Sequence, residues 1–197
     1  MVQIKYTGDA LWERIERAVE KVRDRLRRVT VALDAARVAY AVVGGNAVQL
    51  WVAQVDESVV RNTRDVDIVL NRADLPRAIA ALESAGFIFR QTAGVTMFLD
   101  GPDAKARDAV HVVFSGEKVR DEYPEPVPGI DEYELIKNVR TMKLDSLVRM
   151  KLTSFRLKDR VHILDMISVG LVDDSWLVRF SPELRRRLQE LIDNPDS

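Results

Sequence analysis

At 197 residues and 47% apolar composition, the chain holds enough hydrophobic material for one core of useful size and little more. Thirty Lys and Arg against 31 Asp and Glu leave a net charge of −1, which excludes a strongly basic nucleic-acid coat and an acidic solvating tail but permits a local basic face. The lack of cysteine excludes disulfides, thiolate zinc sites and cysteine nucleophiles.

No apolar run approaches the roughly 18 residues of a membrane span, and Met1 to Tyr6 lacks a secretory-type stretch. The expectation is a cytoplasmic protein with no membrane partner.

The first element is expected to be a long helix over residues 9–36. Leu11, Ile15, Val19, Val22, Leu26, Val29 and Leu33 recur at steps of three or four, which gathers them on one helical face. Asp9 is a candidate N-cap, and the opposite, solvated face carries Arg14, Arg17, Lys21, Arg23, Arg25, Arg27 and Arg28 among acids. A short strand, Tyr40 to Val43, then runs into Gly44-Gly45-Asn46 and a helix over Ala47 to Val55, with Asn46 as its expected cap.

Asp65 to Leu70 begins by alternating acid with apolar residue and ends fully apolar, as a strand entering a core does. Asp74 to Ala85 reads as an amphipathic helix with Pro76 in its first turn and Gly86 past its end. Strands are expected over Phe87 to Arg90, Val95 to Leu99 and Ala109 to Phe114, with Asp100 to Asp103 as a turn. Proline-rich residues 115–130 read as an ordered extended crossing, and helices are expected over Asp145 to Leu157, Asp159 to Val169 and Pro182 to Ile192. This order describes a single α/β (α+β) domain over residues 1–197: an N-terminal helix, a sheet core over 40–118 and a helical C-terminal part over 131–197.

The chemistry concentrates at Asp65 and Asp67. Two residues apart on a strand, their carboxylates leave the same face and repel unless a cation neutralises them. Hard oxygen ligands on a rigid strand suit Mg²⁺ or Mn²⁺. The upstream Gly-Gly turn allows close backbone approach at a helix N-terminus, whose amides favour an anion such as a phosphate. Either feature alone is better explained by a solvent-facing strand or a tight turn.

Together, Gly44-Gly45-Asn46-Ala47 followed by Arg61-x-Thr63-x-Asp65-x-Asp67 resembles the signature of the DNA polymerase β-like nucleotidyltransferase superfamily. More narrowly, it resembles the abortive-infection branch, whose bacterial members include toxins of toxin–antitoxin systems. Lys151, Lys158-Asp159 and Asp165 fall where that branch carries a C-terminal Lys and Lys/Arg-Asp pattern. The resemblance implies a mixed sheet with helices mainly on one face, and transfer of a nucleoside monophosphate from an NTP to an acceptor hydroxyl. It implies metal ligation by Asp65 and Asp67, nucleotide binding by Gly44, Gly45, Asn46, Arg61, Thr63 and Asp165, and charge neutralisation by Lys151 at the leaving pyrophosphate.

The chain departs from the pattern in three places. Asn46 replaces a Ser or Thr, the gap from Gly45 to Asp65 is long, and His111 stands where a third carboxylate belongs. Asp100 is the acid nearest to filling that role from a turn. The implied acceptors are tRNA or another RNA, a protein or a small molecule, and an antitoxin is an implied partner.

Eight basic residues between Lys137 and Arg160 are explained for the most part by a solvated helix surface; an RNA acceptor fits the same bias, with Phe155 the lone interleaved aromatic. His162 is expected to pack or pair electrostatically, and Trp12, Trp51 and Trp176 to serve the core or an interface. Two readings stand beside the transferase. One is a degenerate member that binds nucleotide or RNA without turnover; the other is a protein-interaction module docking through the N-terminal helix.

Overall fold

The computed structural model describes residues 5–195; the parts of the terminal readings that fall on residues 1–4 and 196–197 lie outside the described residues. The elements are α1 (Asp9–Ala35), β1 (Tyr40–Val43), α2 (Gly44–Val52), β2 (Val66–Leu70), α3 (Leu75–Ser84), β3 (Ile88–Thr92), β4 (Val95–Leu99), β5 (Val110–Phe114), β6 (Tyr133–Ile136), β7 (Val139–Met142), α4 (Leu144–Ser154), α5 (Leu157–Ser168) and α6 (Pro182–Asp193), with short 3₁₀ turns between some of them. No helix among the described residues is long and apolar enough to cross a membrane.

The strands form one seven-stranded mixed sheet in the order β3-β4-β5-β2-β1-β7-β6. β2 runs parallel to β5 and antiparallel to β1, and β1 runs parallel to β7. Strand alternation sorts the side chains into two cores. Tyr40, Val42, Val66, Ile68, Val110 and Val112 pack with Val29 and Leu33 of α1 and with Ala78 and Leu82 of α3. Ala41, Val43 and Val69 face the other way, onto Val48 of α2, Leu152 of α4, Ile163 of α5 and Leu188 of α6. Four of the six α-helices among the described residues thus share one face of the sheet.

The expectation of an entirely helical stretch after residue 131 is corrected, because 133–142 form a hairpin that adds two strands beside β1. Lys137 (φ 50°) and Asn138 (φ 63°) are both left-handed, the backbone of a tight hairpin turn. Asn tolerates that conformation, but no Asn-Gly pair marks the turn in sequence.

The caps also differ from expectation. Gly8, not Asp9, occupies the α1 N-cap position, and α2 begins at Gly44, so Asn46 lies within its first turn. At the start of α6 the Ser181 hydroxyl donates to Glu125 at 2.7 Å and makes no side-chain bond to the helix amides.

The C-terminal half of α1 is part of the core, whereas Leu11, Trp12 and Ile15 are exposed. Arg25, expected on the solvated face of α1, is only 6% exposed. Its guanidinium donates to Asp100 Oδ2 at 3.0 Å and to the Arg64 carbonyl at 2.8 Å, and Asp100 also pairs with Arg28. Asp100 is therefore committed to α1, which corrects the expectation that it reaches toward the site. At the other end, Arg187 of α6 donates to the carbonyls of Leu152 and Thr153 at 2.6 and 2.8 Å. Those carbonyls lack helical partners at the end of α4, so the bonds fix the helix that carries Lys151.

Candidate active site

A row of residues crosses the sheet at the site. Met97 of β4 pairs with His111 of β5, His111 with Asp67 of β2, and Asp67 with Val43, the last residue of β1. The chain leaves β1 at Val43, so the turn into α2 passes directly over Asp67. Gly44 has φ +65°, and a Cβ built there would lie 1.9 Å from Asp67 Oδ2. Only glycine fits both the backbone angle and the space. Gly44→Ala is expected to destabilise the protein by about 1–3 kcal/mol from backbone strain alone and to push Asp67 out of place; thermal melting checks the first effect and a structure of the variant the second.

Three side chains hold the segment that carries Asp65. Asn46, 3% exposed, donates through Nδ2 to the Asp65 carbonyl at 2.7 Å. Thr63 donates its hydroxyl to Asp65 Oδ1 at 2.5 Å and packs against Gly45, where an added Cβ would sit 3.0 Å from Thr63 Cβ. Arg61 donates to Asp165 Oδ2 at 2.7 Å, tying the long connection after α2 to α5. That connection includes a 3₁₀ turn, Glu57–Val59, in which the Ser58 amide donates to the Asp56 carboxylate.

A cleft of about 320 Å³ opens over this end of the sheet. Gly44, Gly45, Thr63, Asp65 and Asp67 line one side; Lys151, Arg156, Lys158, Asp159 and His162 line the other, and Asn62, Arg64 and Arg107 complete the lip. The sequence-derived set therefore divides. Gly44, Gly45, Thr63, Asp65, Asp67 and Lys151 come together in the cleft. Asn46 lies behind it as a brace, and Arg61 and Asp165 pair with each other beside a small nook next to Gly45 and His162. His111 neighbours Asp67 in the ladder, but it is not in the cleft wall, and its Nε2 lies 2.9 Å from the Ala106 carbonyl.

Arg64 and Arg107 escaped the sequence reading. Arg64 fills an unspecified position between Thr63 and Asp65, and Arg107 reaches the lip from the turn before β5, a proximity that only the tertiary fold creates.

The two carboxylates are electrostatically split. Burial and the adjacent Asp65 charge push Asp67 up, against the pull of Lys158, His111 and Lys151. Burial also works against the charged form of Asp65, but the Thr63 hydroxyl and Lys158 outweigh it and hold Asp65 below its ordinary value. On the opposite wall Lys151 is 4% exposed, with Nζ 3.1 Å from Asp159 Oδ1. Asp159 also accepts from Ser154 and Arg156 at 2.7 Å each. Burial opposes its ionisation, but Lys151, Arg156 and Ser154 overcome this and hold it at about 2. Burial pushes Lys151 down despite Asp159. His162, lowered to about 4 by burial and the Lys151 charge, is neutral at physiological pH, and its Nδ1 has no partner among the described residues.

Among the described residues, no group of three or more His, Asp or Glu side chains converges as a cation cage. Asp65 and Asp67 instead offer two carboxylates at the cleft floor, one of them raised by the other's charge. This donor set fits an ion such as Mg²⁺, which commonly takes one or two carboxylates and completes its shell with water and substrate phosphates.

No protein-family model and no curated protein sequence matches the chain. Solved structures do match its fold. The solution structure of the antibiotic-resistance factor ANT(2'')-Ia aligns over 90% of this chain and 94% of its own, with TM-score 0.57 and 11% identity. Its crystal structure in complex with adenylyl-2''-tobramycin aligns over 87% and 98%, with TM-score 0.54 and 14% identity. An antigenic nucleotidyltransferase-like protein from Paracoccidioides brasiliensis aligns over 90% and 89%, with TM-score 0.59 and 18% identity. At these identities the likeness establishes a shared fold.

Proposed function

From the fold it shares with these nucleotidyltransferases, we propose that the chain is a metal-dependent nucleotidyltransferase that moves a nucleoside monophosphate from an NTP to an acceptor hydroxyl. The observation that carries this reading is the packing of Gly44 against Asp67, which sets two carboxylates beside the open N-terminus of α2 in one cleft. The first amides of α2 lack helical acceptors, and the positive end of the helix favours phosphate oxygens. Asp65 and Asp67 would hold Mg²⁺ or Mn²⁺, which supplies Lewis-acid stabilisation of charge on the phosphates. The acceptor oxygen attacks the α-phosphorus as the bond to the bridging oxygen breaks; pyrophosphate leaves with the electron pair, and the hydroxyl proton passes to water. Thr63 and Asn46 keep Asp65 oriented, and Lys151 places positive charge behind Asp67.

The acceptor proposed is phosphate-rich, with tRNA or another RNA ahead of a protein, because Arg64 and Arg107 make the exposed lip cationic. A role as the toxin of a toxin–antitoxin pair, held in check by an antitoxin in the cytoplasm, extends this reading from the motif resemblance. Incubation with each α-³²P-labelled NTP, Mg²⁺ or Mn²⁺, and bulk tRNA or cell protein tests it. Label is expected on tRNA; label on protein alone would reverse the acceptor, and no label on any acceptor would overturn the transferase.

A second reading has its own support in the position of His111, which stands beside Asp67 in the ladder where a third metal-binding carboxylate would be needed. A binding-only protein would be stabilised thermally by Mg·NTP and release no pyrophosphate. The interaction-module reading fits the exposed Leu11, Trp12 and Ile15, but Val29, Leu33 and Arg25 tie α1 to the core, so deletion of residues 1–36 is expected to unfold the protein rather than abolish docking alone.

A further inference from the structure

The cations around the cleft differ in what already neutralises them. Lys151 is buried and bound to Asp159, and Asp159 accepts from Ser154 and Arg156 as well. In that cluster Lys151 already has a buried counter-charge at 3.1 Å, and drawing it onto a ligand would break a buried ion pair. Lys158, one residue before Asp159, makes no ion pair or hydrogen bond among the described residues. It is exposed, lines the cleft, and its charge acts on both Asp65 and Asp67.

Its place is also costly for a cation. Lys158 stands in the first turn of α5, where the positive end of the helix disfavours like charge, and it has no capping duty there. A site that tolerates this cost beside two carboxylates is arranged for an anion that arrives from outside.

We infer that Lys158, rather than Lys151, is the cation that contacts the triphosphate of the bound nucleotide, while Lys151 is a positioning residue that fixes α4 against α5. This rests on the nucleotidyltransferase reading and assigns the contact within it. Lys158 neutralises the phosphates beyond the one being transferred, and its long exposed stem lets it follow them. Lys151 acts electrostatically on Asp67 and, through Asp159, ties α4 to α5.

Equilibrium binding of Mg·ATP, Mg·GTP, Mg·CTP and Mg·UTP, each with its nucleoside as control, distinguishes the two lysines. Lys158→Ala is expected to weaken triphosphate binding roughly ten- to hundred-fold, the scale of one charge-assisted contact, and to flatten its salt dependence. Nucleoside binding should not move, and Lys158→Arg should recover most of the affinity. Lys151→Met should lower the melting temperature, and its triphosphate binding should keep the wild-type salt dependence. Wild-type affinity and salt slope in Lys158→Ala would overturn the assignment. If the wild-type protein binds none of the four triphosphates, the nucleotidyltransferase reading falls first and this assignment falls with it.

Discussion

Asp67→Asn is expected to abolish nucleotidyl transfer, lowering its rate about 10³-fold or more, because several kcal/mol of transition-state charge stabilisation depends on this metal-binding position. The fold should survive, since the amide is isosteric and fills the same space against Gly44. Stability should move the other way. Burial and the Asp65 charge raise the folded-state pKa of Asp67, so the stability tied to its protonated form is full below the ordinary carboxylate range and is lost as pH rises through the raised value. At neutral pH without divalent ions, the variant should therefore melt above the wild type. Adding Mg²⁺ or Mn²⁺ should stabilise the wild type and leave the variant nearly unchanged. Melting scans at several pH values, with and without metal, beside a transfer assay check both halves. A variant that keeps wild-type activity would remove Asp67 from the chemistry.

Asp159→Asn carries the largest expected effect on stability. Removing one partner of a buried ion pair leaves the other uncompensated, a loss of about 3–5 kcal/mol. Lys151 is 4% exposed and would be left with no carboxylate at hydrogen-bond distance. The pH dependence has a definite sign. Asp159 is held at about 2 against an ordinary value of 3.8, so its stabilisation is fully present above 3.8 and disappears as pH falls through about 2. Wild-type stability should drop across that interval, whereas the Asn variant starts lower at neutral pH and lacks this component of the drop. Lys151→Met in the Asp159→Asn background should recover part of the loss, because it removes the stranded charge. Chemical denaturation from pH 7 down to pH 2 measures all three proteins; a neutral Asp159→Asn would show that the cluster contributes nothing to stability.

Local patterns carried much of this architecture. β1 and β4 coincide with their apolar runs, and α1, α3 and α6 agree with their periodicities to within a residue or two, because each buries one continuous face. The carboxylate pair and the Gly-Gly turn were legible because both belong to short segments with strict geometry. Asn46 was misread as a cap for a physical reason: its side chain satisfies the Asp65 carbonyl 19 residues away, and no local pattern encodes that bond. The β6–β7 hairpin was hidden by its shortness and by a Lys-Asn turn.

The pairing of charges was the least visible feature. Sequence places Lys151, Arg156, Lys158 and Asp159 in one basic stretch and gives no sign that two of these cations are consumed by the one acid. Arg61 and Asp165 likewise looked like candidates for the nucleotide, and the fold turns them toward each other. Asp100 had the right charge in the right part of the chain, but Arg25 and Arg28 of α1 claim it.

The most direct test of the account is pyrophosphate release from each NTP, with Mg²⁺ and separately with Mn²⁺, in the presence of bulk tRNA, for the wild type beside Asp65→Ala/Asp67→Ala. Release that requires the divalent ion and vanishes in the double variant is the predicted result. Equal release from both proteins, or none from the wild type under every combination, would contradict the assignment of this cleft as a nucleotidyltransferase active site.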